Sequence, residues 1–214
     1  MSARHLTPFD DLISAADRAV KTVLGGTSFA QRPNPADSID HELEDAADKA
    51  RAARLMRVNH SGEVAAQALY QGQALTARLD QVREAMNQAA EEENDHLVWC
   101  AERIRELGSQ TSLLNPLWYL GSFAIGAAAG AIGDRWSLGF VAETEKQVVR
   151  HLESHLEHLP VSDEKSRVIL EQMKDDEARH GTTAMAAGAV ELPELVRKLM
   201  TMASRVMTRT AYWL

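Results

Sequence analysis

The sequence contains no proline between Pro35 and Pro116, and this interval constrains the fold more than any other feature. Ala, Glu, Arg, Leu and Gln dominate it, and these residues favour helices. No stretch of useful length alternates apolar and polar residues, as a half-buried strand would. Because aromatic residues make up only 5% of the chain, the pattern is also unlike that of a β-sandwich. The sequence therefore predicts long helices packed on one another, an all-α fold.

Apolar spacing and helix stop signals predict five helices after the first 41 residues. Gly108 ends the second of them, Pro160 separates the third from the fourth, and Ser162 is the expected N-cap of the fourth. The predicted ranges are about 42–78, 81–107, 135–158, 163–188 and 193–214. The first four are expected to form a four-helix bundle, with an apolar segment at about 107–134 and a C-terminal helix added to it.

Residues 1–41 are predicted to form a separate N-terminal part ahead of the bundle domain of residues 42–214. Thr7-Pro8 is a good helix start, and Gly25-Gly26 is expected to end that helix. Pro33 and Pro35 then predict a loop. The opening residues MSARHLTPFDDL have neither the apolar run of a secretory signal nor the Arg-rich character of a transit peptide.

Charge and cysteine content exclude several classes of function. The chain of 214 residues has a formal net charge of −8, which argues against nucleic acid as a partner. Cys100 is the only cysteine, so disulfides and cysteine-ligated clusters within one chain are excluded. Its position on an apolar helix stripe predicts a core residue rather than a nucleophile.

Four of the predicted helices repeat a pattern of residues that bind metals. Each helix pair carries one Glu on its first member and Glu-x-x-His on its second: Glu63, then Glu93 and His96, then Glu145, then Glu177 and His180. On a helix, residues three apart lie on one face and can reach the same metal ion. Carboxylates and imidazoles in this arrangement form dinuclear sites inside four-helix bundles, and they suit iron or manganese.

A glutamate is usually a solvated surface residue, so its position around the helix must be tested at 100° per residue. The Glu-x-x-His pairs fall within apolar stripes and are predicted to be buried. Glu63 lies in a stripe of small and semi-polar residues, which fits either a cavity wall or the edge of the bundle. The acidic residues next to the two pairs lie outside the stripes and are predicted to be solvated: Glu91, Glu92, Asp95, Asp175 and Asp176.

The third bundle helix contains two glutamates and three histidines that need separate assignments. Glu145 lies within about 40° of the apolar positions whereas Glu143 is about 160° away, so Glu145 is predicted to face inward. The three histidines form an i, i+4, i+7 row that is expected to be exposed, as a zinc or nickel site or simply as a polar face: His151, His155 and His158. Candidates for hydrogen bonds to the ligands are Asn59, His60, Tyr70 and His151.

Residues 107–133 carry no charged side chain. Three interpretations are open: an interfacial or re-entrant hairpin, an internal buried segment, or a bilayer span, which Asn115-Pro116 and the glycines weaken. Ser122, Gly126 and Gly130 repeat every fourth residue and predict a close helix contact. The final helix is amphipathic and basic, which favours a membrane surface; its cations are Arg197, Lys198, Arg205 and Arg209.

The run Arg57-Val58-Asn59-His60-Ser61-Gly62-Glu63, followed by Tyr70-Gln71-Gly72-Gln73, resembles the first-helix motif of the demethoxyubiquinone hydroxylases. These are ferritin-like di-iron monooxygenases of ubiquinone biosynthesis. The later Glu and Glu-x-x-His elements follow in the order of that family. The resemblance extends from about Leu43 to the C-terminus and departs at Asn59, where Asp is often found.

The resemblance implies a ferritin-like four-helix bundle that holds two Fe ions per subunit and uses O2. It implies hydroxylation of the ring of a polyprenylated demethoxyubiquinol, with electrons from a donor that the sequence does not identify. The implied ligands are Glu63, Glu93, His96, Glu145, Glu177 and His180.

Such a protein is expected to be peripheral to the cytoplasmic face of a bacterial inner membrane. Candidate partners are the membrane surface, other proteins of ubiquinone biosynthesis and further copies of the same chain. The alternative function is a ferritin-like iron-storage or peroxide-handling protein. It would need the same ligands, but it would not need the uncharged segment or the basic final helix.

Overall fold

The computed structural model describes Ile13, residues 17–23 and residues 30–214. All regular structure in these residues is helical, which confirms the predicted all-α fold. The helices after residue 30 are α1 (Ala46–Thr76), α2 (Asp80–Glu106), α3 (Asn115–Ile132), α4 (Asp134–His158), α5 (Glu164–Ala186) and α6 (Glu194–Ala211). Residues 17–23 are also helical, whereas the predicted helix start at Thr7-Pro8 and its end at Gly25-Gly26 lie outside the described residues.

Local hydrogen bonds set the helix boundaries. Helix α1 begins at Ala46 rather than near residue 42, because the Asp45 carboxylate accepts hydrogen bonds from the backbone N–H groups of the first turn at 2.9 Å. Asp163, and not the predicted Ser162, caps α5 by accepting from the Ser166 N–H at 3.0 Å. Gly108 follows α2 with φ 70°, a conformation that favours glycine, so the predicted stop is confirmed.

The helices form two packed pairs with a long connection between them. Residues 77–79 join α1 to α2, and residues 159–163 join α4 to α5, so each pair packs as a helical hairpin. Helix α3 lies in the connection and packs along α1, while α6 packs against α1 and α4. The arrangement is consistent with a ferritin-like bundle that carries an apolar helix and a C-terminal helix.

The buried apolar side chains form two main clusters at different heights in the bundle. One includes Met56, Trp99, Leu152 and Met173, and the other includes Tyr70, Met86, Val141 and Ala184. On each of α1, α2, α4 and α5, the predicted metal-binding residues lie between a member of the first cluster and a member of the second. The fold therefore places these polar residues in a band that has apolar side chains on both sides.

Glycine allows the backbones of α1 and α3 to touch. A Cβ atom on Gly72 would overlap the carbonyl oxygen of Phe123, and one on Gly126 would overlap the carbonyl oxygen of Leu69. Gly130 is similarly close to Thr76. The predicted close contact at Gly126 and Gly130 is confirmed, and its partner is α1. As a result, α1 is covered on nearly all sides.

Residues 115–132 of the uncharged segment form one continuous helix, α3, and residues 107–114 lead into it. The segment itself therefore does not fold into a hairpin, and its placement at a membrane interface stays a prediction. It is not fully internal either, because one face packs on α1 through Tyr119, Gly126 and Ala129 while the other remains open. Large apolar side chains at least 46% exposed line the open side: Leu113, Leu117, Leu120, Ile125 and Ile132. Among the described residues, no helix combines the length and apolarity needed to cross a bilayer.

Candidate metal centre

The six residues predicted from the helical pattern come together in the middle of the bundle. The exposed fractions are 3% for Glu63, 0% for Glu93 and His96, and 1% for Glu145 and Glu177. The His180 side chain is 10% exposed. The ambiguity over Glu63 is thereby resolved, because its side chain is buried in the bundle and not at an edge.

Glu93 and Glu177 lie between the two imidazoles. Nδ1 of His96 is 3.1 Å from Glu93 Oε2 and 3.1 Å from Glu177 Oε1. Nδ1 of His180 is 3.4 Å from Glu93 Oε1 and 3.3 Å from Glu177 Oε2. Glu63 lies on the His96 side, 3.5 Å from Nδ1. Ligand atoms of Glu63, Glu93, His96 and Glu177 all lie within 4.8 Å of one another, the only such group found in the described part of the chain.

Glu145 adjoins this group from α4. The Tyr70 hydroxyl donates to Glu145 Oε1, and the carboxylate interacts electrostatically with Glu177 and His180. Glu143 points to another side of α4, where it accepts a hydrogen bond from Gln147 Nε2 at 2.8 Å. The prediction that Glu145 is the inward residue is confirmed, although the Glu143 side chain is also largely covered.

Each of the four buried carboxylates has one oxygen that accepts no well-aligned hydrogen bond from the described residues: Glu63 Oε2, Glu93 Oε1, Glu145 Oε2 and Glu177 Oε1. The imidazole nitrogens lie 3.5 Å from Glu63 Oε2, 3.4 Å from Glu93 Oε1 and 3.1 Å from Glu177 Oε1. Leaving a buried acceptor without a partner costs about 1–3 kcal/mol. Cations held between these oxygens would satisfy all four. Four carboxylates and two imidazoles suit iron or manganese, so the residues present fit such metals.

Burial and mutual contacts shift the pKa values of the carboxylates and imidazoles in the group. Burial and the nearby Glu93 raise the pKa of Glu63 well above its usual value, and burial and Glu177 do the same for Glu145. Burial also opposes ionisation of Glu93, but hydrogen bonds from the imidazoles outweigh it and lower the Glu93 pKa. Although burial opposes its charge, hydrogen bonds to Glu177 and Glu93 raise the pKa of His180 to about 12. Metal binding must therefore displace protons from the group.

A carboxylate on the outer side orients each imidazole. His96 Nε2 lies 3.0 Å from Asp176 Oδ2, and His180 Nε2 lies 2.8 Å from Glu92 Oε2. In both rings, therefore, Nδ1 faces the carboxylates of the group and Nε2 faces its own supporting carboxylate. Supporting contacts of this kind fix the ring orientation of histidine ligands in metal sites.

The prediction that all the neighbouring acids are solvated is wrong for Asp95 and Asp176. Both are buried because Arg32, from the Pro-rich loop, covers them: its Nε is 2.7 Å from Asp95 Oδ2 and its Nη1 is 2.7 Å from Asp176 Oδ2. Glu91 and Asp175 are exposed as predicted, and Glu92 is partly exposed. Helical periodicity contains no signal for this contact, because the partner comes from outside the bundle.

The remaining predicted residues have different outcomes. Tyr70 contacts the group through Glu145, as proposed, whereas His60 instead pairs with Asn115 at 3.3 Å. Asn59 is buried with its side-chain oxygen unpartnered among the described residues. Cys100 is a buried core residue, with its sulfur 3.7 Å from that of Met173, so that prediction is confirmed.

The histidine row on α4 is not the exposed face that its helical angle predicts. His155 is buried, His151 is mostly covered, and only His158 is exposed. Gln147, one turn before His151 on that side of α4, contacts Arg197 and Thr201 of α6. Burial lowers the pKa of His151 to about 4. No third ligand gathers with the two covered imidazoles among the described residues.

The fold and the site together define a class of protein: a helical bundle whose interior carboxylates and imidazoles are suited to hold metal ions. The family described as ubiquinone biosynthesis protein COQ7 matches residues 50–211, and the chain belongs to this family. The resemblance found in the sequence is thereby confirmed.

Relatives from several bacteria are similar over the full chain. The chain is 57% identical over 214 residues to the 3-demethoxyubiquinol 3-hydroxylase of Nitrosococcus oceani, covering 100% of both proteins. It is 56% identical over 211 residues to that of Acinetobacter baumannii, covering 99% of this chain and 100% of the relative. It is 57% identical over 212 residues to that of Stutzerimonas stutzeri, covering 99% of this chain and 98% of the relative.

Proposed function

We propose that this chain is a 3-demethoxyubiquinol 3-hydroxylase, a di-iron monooxygenase that hydroxylates the ring of a polyprenylated demethoxyubiquinol with O2. The observation that carries the proposal is the position of Glu93 and Glu177 between His96 and His180, where one oxygen of each carboxylate accepts no well-aligned hydrogen bond from the described residues. The names of the relatives, which align over the whole chain, supply the substrate.

Two Fe ions per subunit fit the grouping of the six side chains. Six side chains would hold the two ions: Glu63, Glu93, His96, Glu145, Glu177 and His180. The iron pair supplies the activation of O2 when it is bound.

The chain itself holds the ligands in place and limits access by water. Tyr70 fixes Glu145 by a hydrogen bond, and Asp176 and Glu92 fix the two imidazoles. The apolar clusters on both sides of the polar band exclude water from the reaction. A ferritin-like storage or peroxide-handling role would need the same ligands, but it gives no reason for the exposed apolar side of α3.

The outward side of α6 supports docking on a membrane. Four large apolar side chains on this side are at least 51% exposed: Leu195, Leu199, Met202 and Val206. Thr201, Ser204 and Thr208 lie on the half-buried side. Val196, Met200 and Met207 are also half-buried, so the helix carries apolar residues on its protein side as well as a row of large apolar side chains exposed to solvent.

The start of α3 and the residues after α6 lie close together. The N–H of Leu113, just before α3, donates to the carbonyl oxygen of Leu214 at 3.0 Å, so the start of α3 meets the end of the chain. We propose that the apolar faces of α3 and α6 bind the cytoplasmic side of a bacterial inner membrane, where the polyprenyl tail of the substrate is held. Other proteins of ubiquinone biosynthesis and further copies of the chain remain candidate partners.

The proposed reaction is tested with labelled oxygen. Protein loaded anaerobically with Fe(II) receives a short-tailed demethoxyubiquinol, a chemical reductant and ¹⁸O₂, and the product is measured by mass spectrometry. We expect one ¹⁸O atom in the new hydroxyl group and the second oxygen atom in water. Consumption of O2 without ring hydroxylation, together with accumulation of many irons per chain, would instead favour the storage function.

Membrane docking is tested by replacing the exposed cations of α6, Lys198, Arg205 and Arg209, with Gln. Each cation near an anionic surface contributes about 1 kcal/mol, so the triple variant should bind anionic vesicles roughly 100-fold more weakly. Binding is measured by vesicle co-sedimentation at low and high salt. The matched control replaces three exposed cations of α1 and α2, Arg51, Arg83 and Arg105, and should bind normally. Equal losses in both variants would show that net charge alone, and not α6, controls binding.

A further inference from the structure

The Pro-rich segment of residues 30–37 has a defined place on the outside of the bundle. The backbone N–H of Gln31 donates to Asp95 Oδ1 at 2.6 Å, and Asn34 Nδ2 donates to Glu102 Oε2 at 3.0 Å. Ala36 is buried against the cluster that contains Trp99. Both hydrogen bonds go to α2, so the segment is anchored along that helix on either side of Arg32.

Arg32 extends from this segment and joins α2 to α5. Its Nε donates to Asp95 Oδ2 and its Nη1 donates to Asp176 Oδ2, both at 2.7 Å. The guanidinium carbon lies 4.9 Å from the centre of the Trp99 ring. A planar fork that reaches two carboxylates and stacks on an aromatic ring is a geometry that arginine provides and lysine does not.

The oxygen of Asp176 that binds Arg32 is also the one that supports His96. Oδ2 of Asp176 lies 2.7 Å from Arg32 Nη1 and 3.0 Å from His96 Nε2. The other oxygen of Asp176 accepts from Arg179 at 2.7 Å and from Gln172 at 3.1 Å. Arg32 is therefore the side chain that fixes the particular oxygen on which the orientation of the His96 ring depends.

Arg32 also separates the supporting carboxylate from solvent. A polar surface cleft of about 350 Å³ is lined by Arg32, Gln31, Glu92 and Arg179, among others. Asp176 has a side chain only 1% exposed, although it lies just behind Arg32. Removing the guanidinium would open a path for water from the cleft to the contact between Asp176 and His96.

We propose that Arg32 is a positioning residue that holds the His96 imidazole toward the metal group by fixing Asp176. The inference rests on the proposed metal centre and gives a role to a segment that lies outside the bundle. The effect is expected mainly on the His96 side of the centre, because Glu92 supports His180 and, among the described residues, Arg32 forms no hydrogen bond or ion pair with Glu92. The link between the two sides is Arg179, which lies 2.7 Å from Asp176 and 3.7 Å from Glu92. Arg32 thus distinguishes the two metal positions.

The test uses the full-length, metal-free protein titrated anaerobically with Co(II), with binding followed by visible absorption. In Arg32→Ala we expect the affinity of one of the two Co(II) sites to fall about 10–100-fold, the usual effect of losing a contact that supports a ligand. The absorption band of that site should shift, and the other site should keep its affinity. Arg32→Lys should recover only part of the loss, because an ammonium group has neither the planar fork that meets both carboxylates nor the flat face that stacks on Trp99.

Asn34→Ala is the matched control, because it loosens the same segment without touching Asp95 or Asp176. Its melting temperature without metal is expected to fall, while both Co(II) affinities stay at the wild-type values. An unchanged titration in Arg32→Ala, an equal loss at both sites, or the same loss in Asn34→Ala would overturn the proposal. If the wild-type protein bound no Co(II), the proposed metal centre itself would be overturned. That result differs from identical titrations of wild type and Arg32→Ala, which would overturn only the role of Arg32.

Discussion

Replacing Glu145 with Ala is expected to lower the rate of quinol hydroxylation by more than about 100-fold, because loss of a contact that only supports a ligand already costs 10–100-fold. Glu145 is the carboxylate on the His180 side that is not shared with His96, and its loss also leaves the Tyr70 hydroxyl without its acceptor. Iron content after anaerobic loading should fall from two ions per chain to one or fewer. Turnover and elemental analysis of the same samples measure both effects.

Glu143→Ala is the control for this prediction. Glu143 lies two residues away on the same helix and bonds only Gln147 and, at 3.8 Å, Arg150 among its described partners. We expect nearly wild-type turnover and two irons per chain. Equal losses in the two variants would place the metal ligand of α4 elsewhere than at Glu145.

Replacing Gly126 with Ala is expected to destabilise the protein by about 1–3 kcal/mol or more, the usual cost of overpacking. The new Cβ would overlap the carbonyl oxygen of Leu69. Because that oxygen belongs to the backbone of α1 and the Cβ is bonded directly to the backbone of α3, no side-chain rotation can relieve the overlap. For a chain of this size the melting temperature should fall by roughly 2–12 °C. Thermal unfolding of the metal-free protein, followed by circular dichroism, measures the change.

Gly121→Ala on the same helix should have the opposite sign. Gly121 is exposed, and no atom lies within 4 Å of the position its Cβ would take. Since alanine favours a helix over glycine by roughly 0.5–1 kcal/mol, this variant should be as stable as the wild type or slightly more stable. A similar loss of stability in both variants would mean that the contact with α1 is not the reason that Gly126 is needed.

Helical periodicity predicts the site well where a helix has one buried face. The Glu-x-x-His pairs of α2 and α5 and the choice of Glu145 over Glu143 follow from a single apolar stripe on each helix. Glu63 is ambiguous in the sequence because α3 covers the side of α1 that would otherwise be solvated, so α1 has no polar face to contrast with its core. The packing of α3 is set by contacts between residues far apart in the chain, which a stripe on one helix does not encode.

The wrong predictions of solvent exposure concern residues on faces that meet distant segments. Asp95 and Asp176 are covered by Arg32, which precedes them by 63 and 144 residues. His151 and His155 lie on the face of α4 where Gln147 meets α6, about 50 residues later. A charged or polar residue outside the apolar stripe is normally solvated, so only the tertiary structure shows that these are not.

The contact between α1 and α3 also sets a distance. Helix α1 carries Glu63 toward the metal group on one side and receives α3 on the other, and α3 in turn presents its apolar side chains outward. If that outward face lies in lipid, the thickness of about one helix, some 10 Å, separates the acyl chains from α1 and its ligand. A quinol ring entering from this face would have to move by about that thickness to approach α1 while its tail stayed among the acyl chains. Its binding would then depend little on the number of isoprene units, because the bilayer and not the protein would hold the tail.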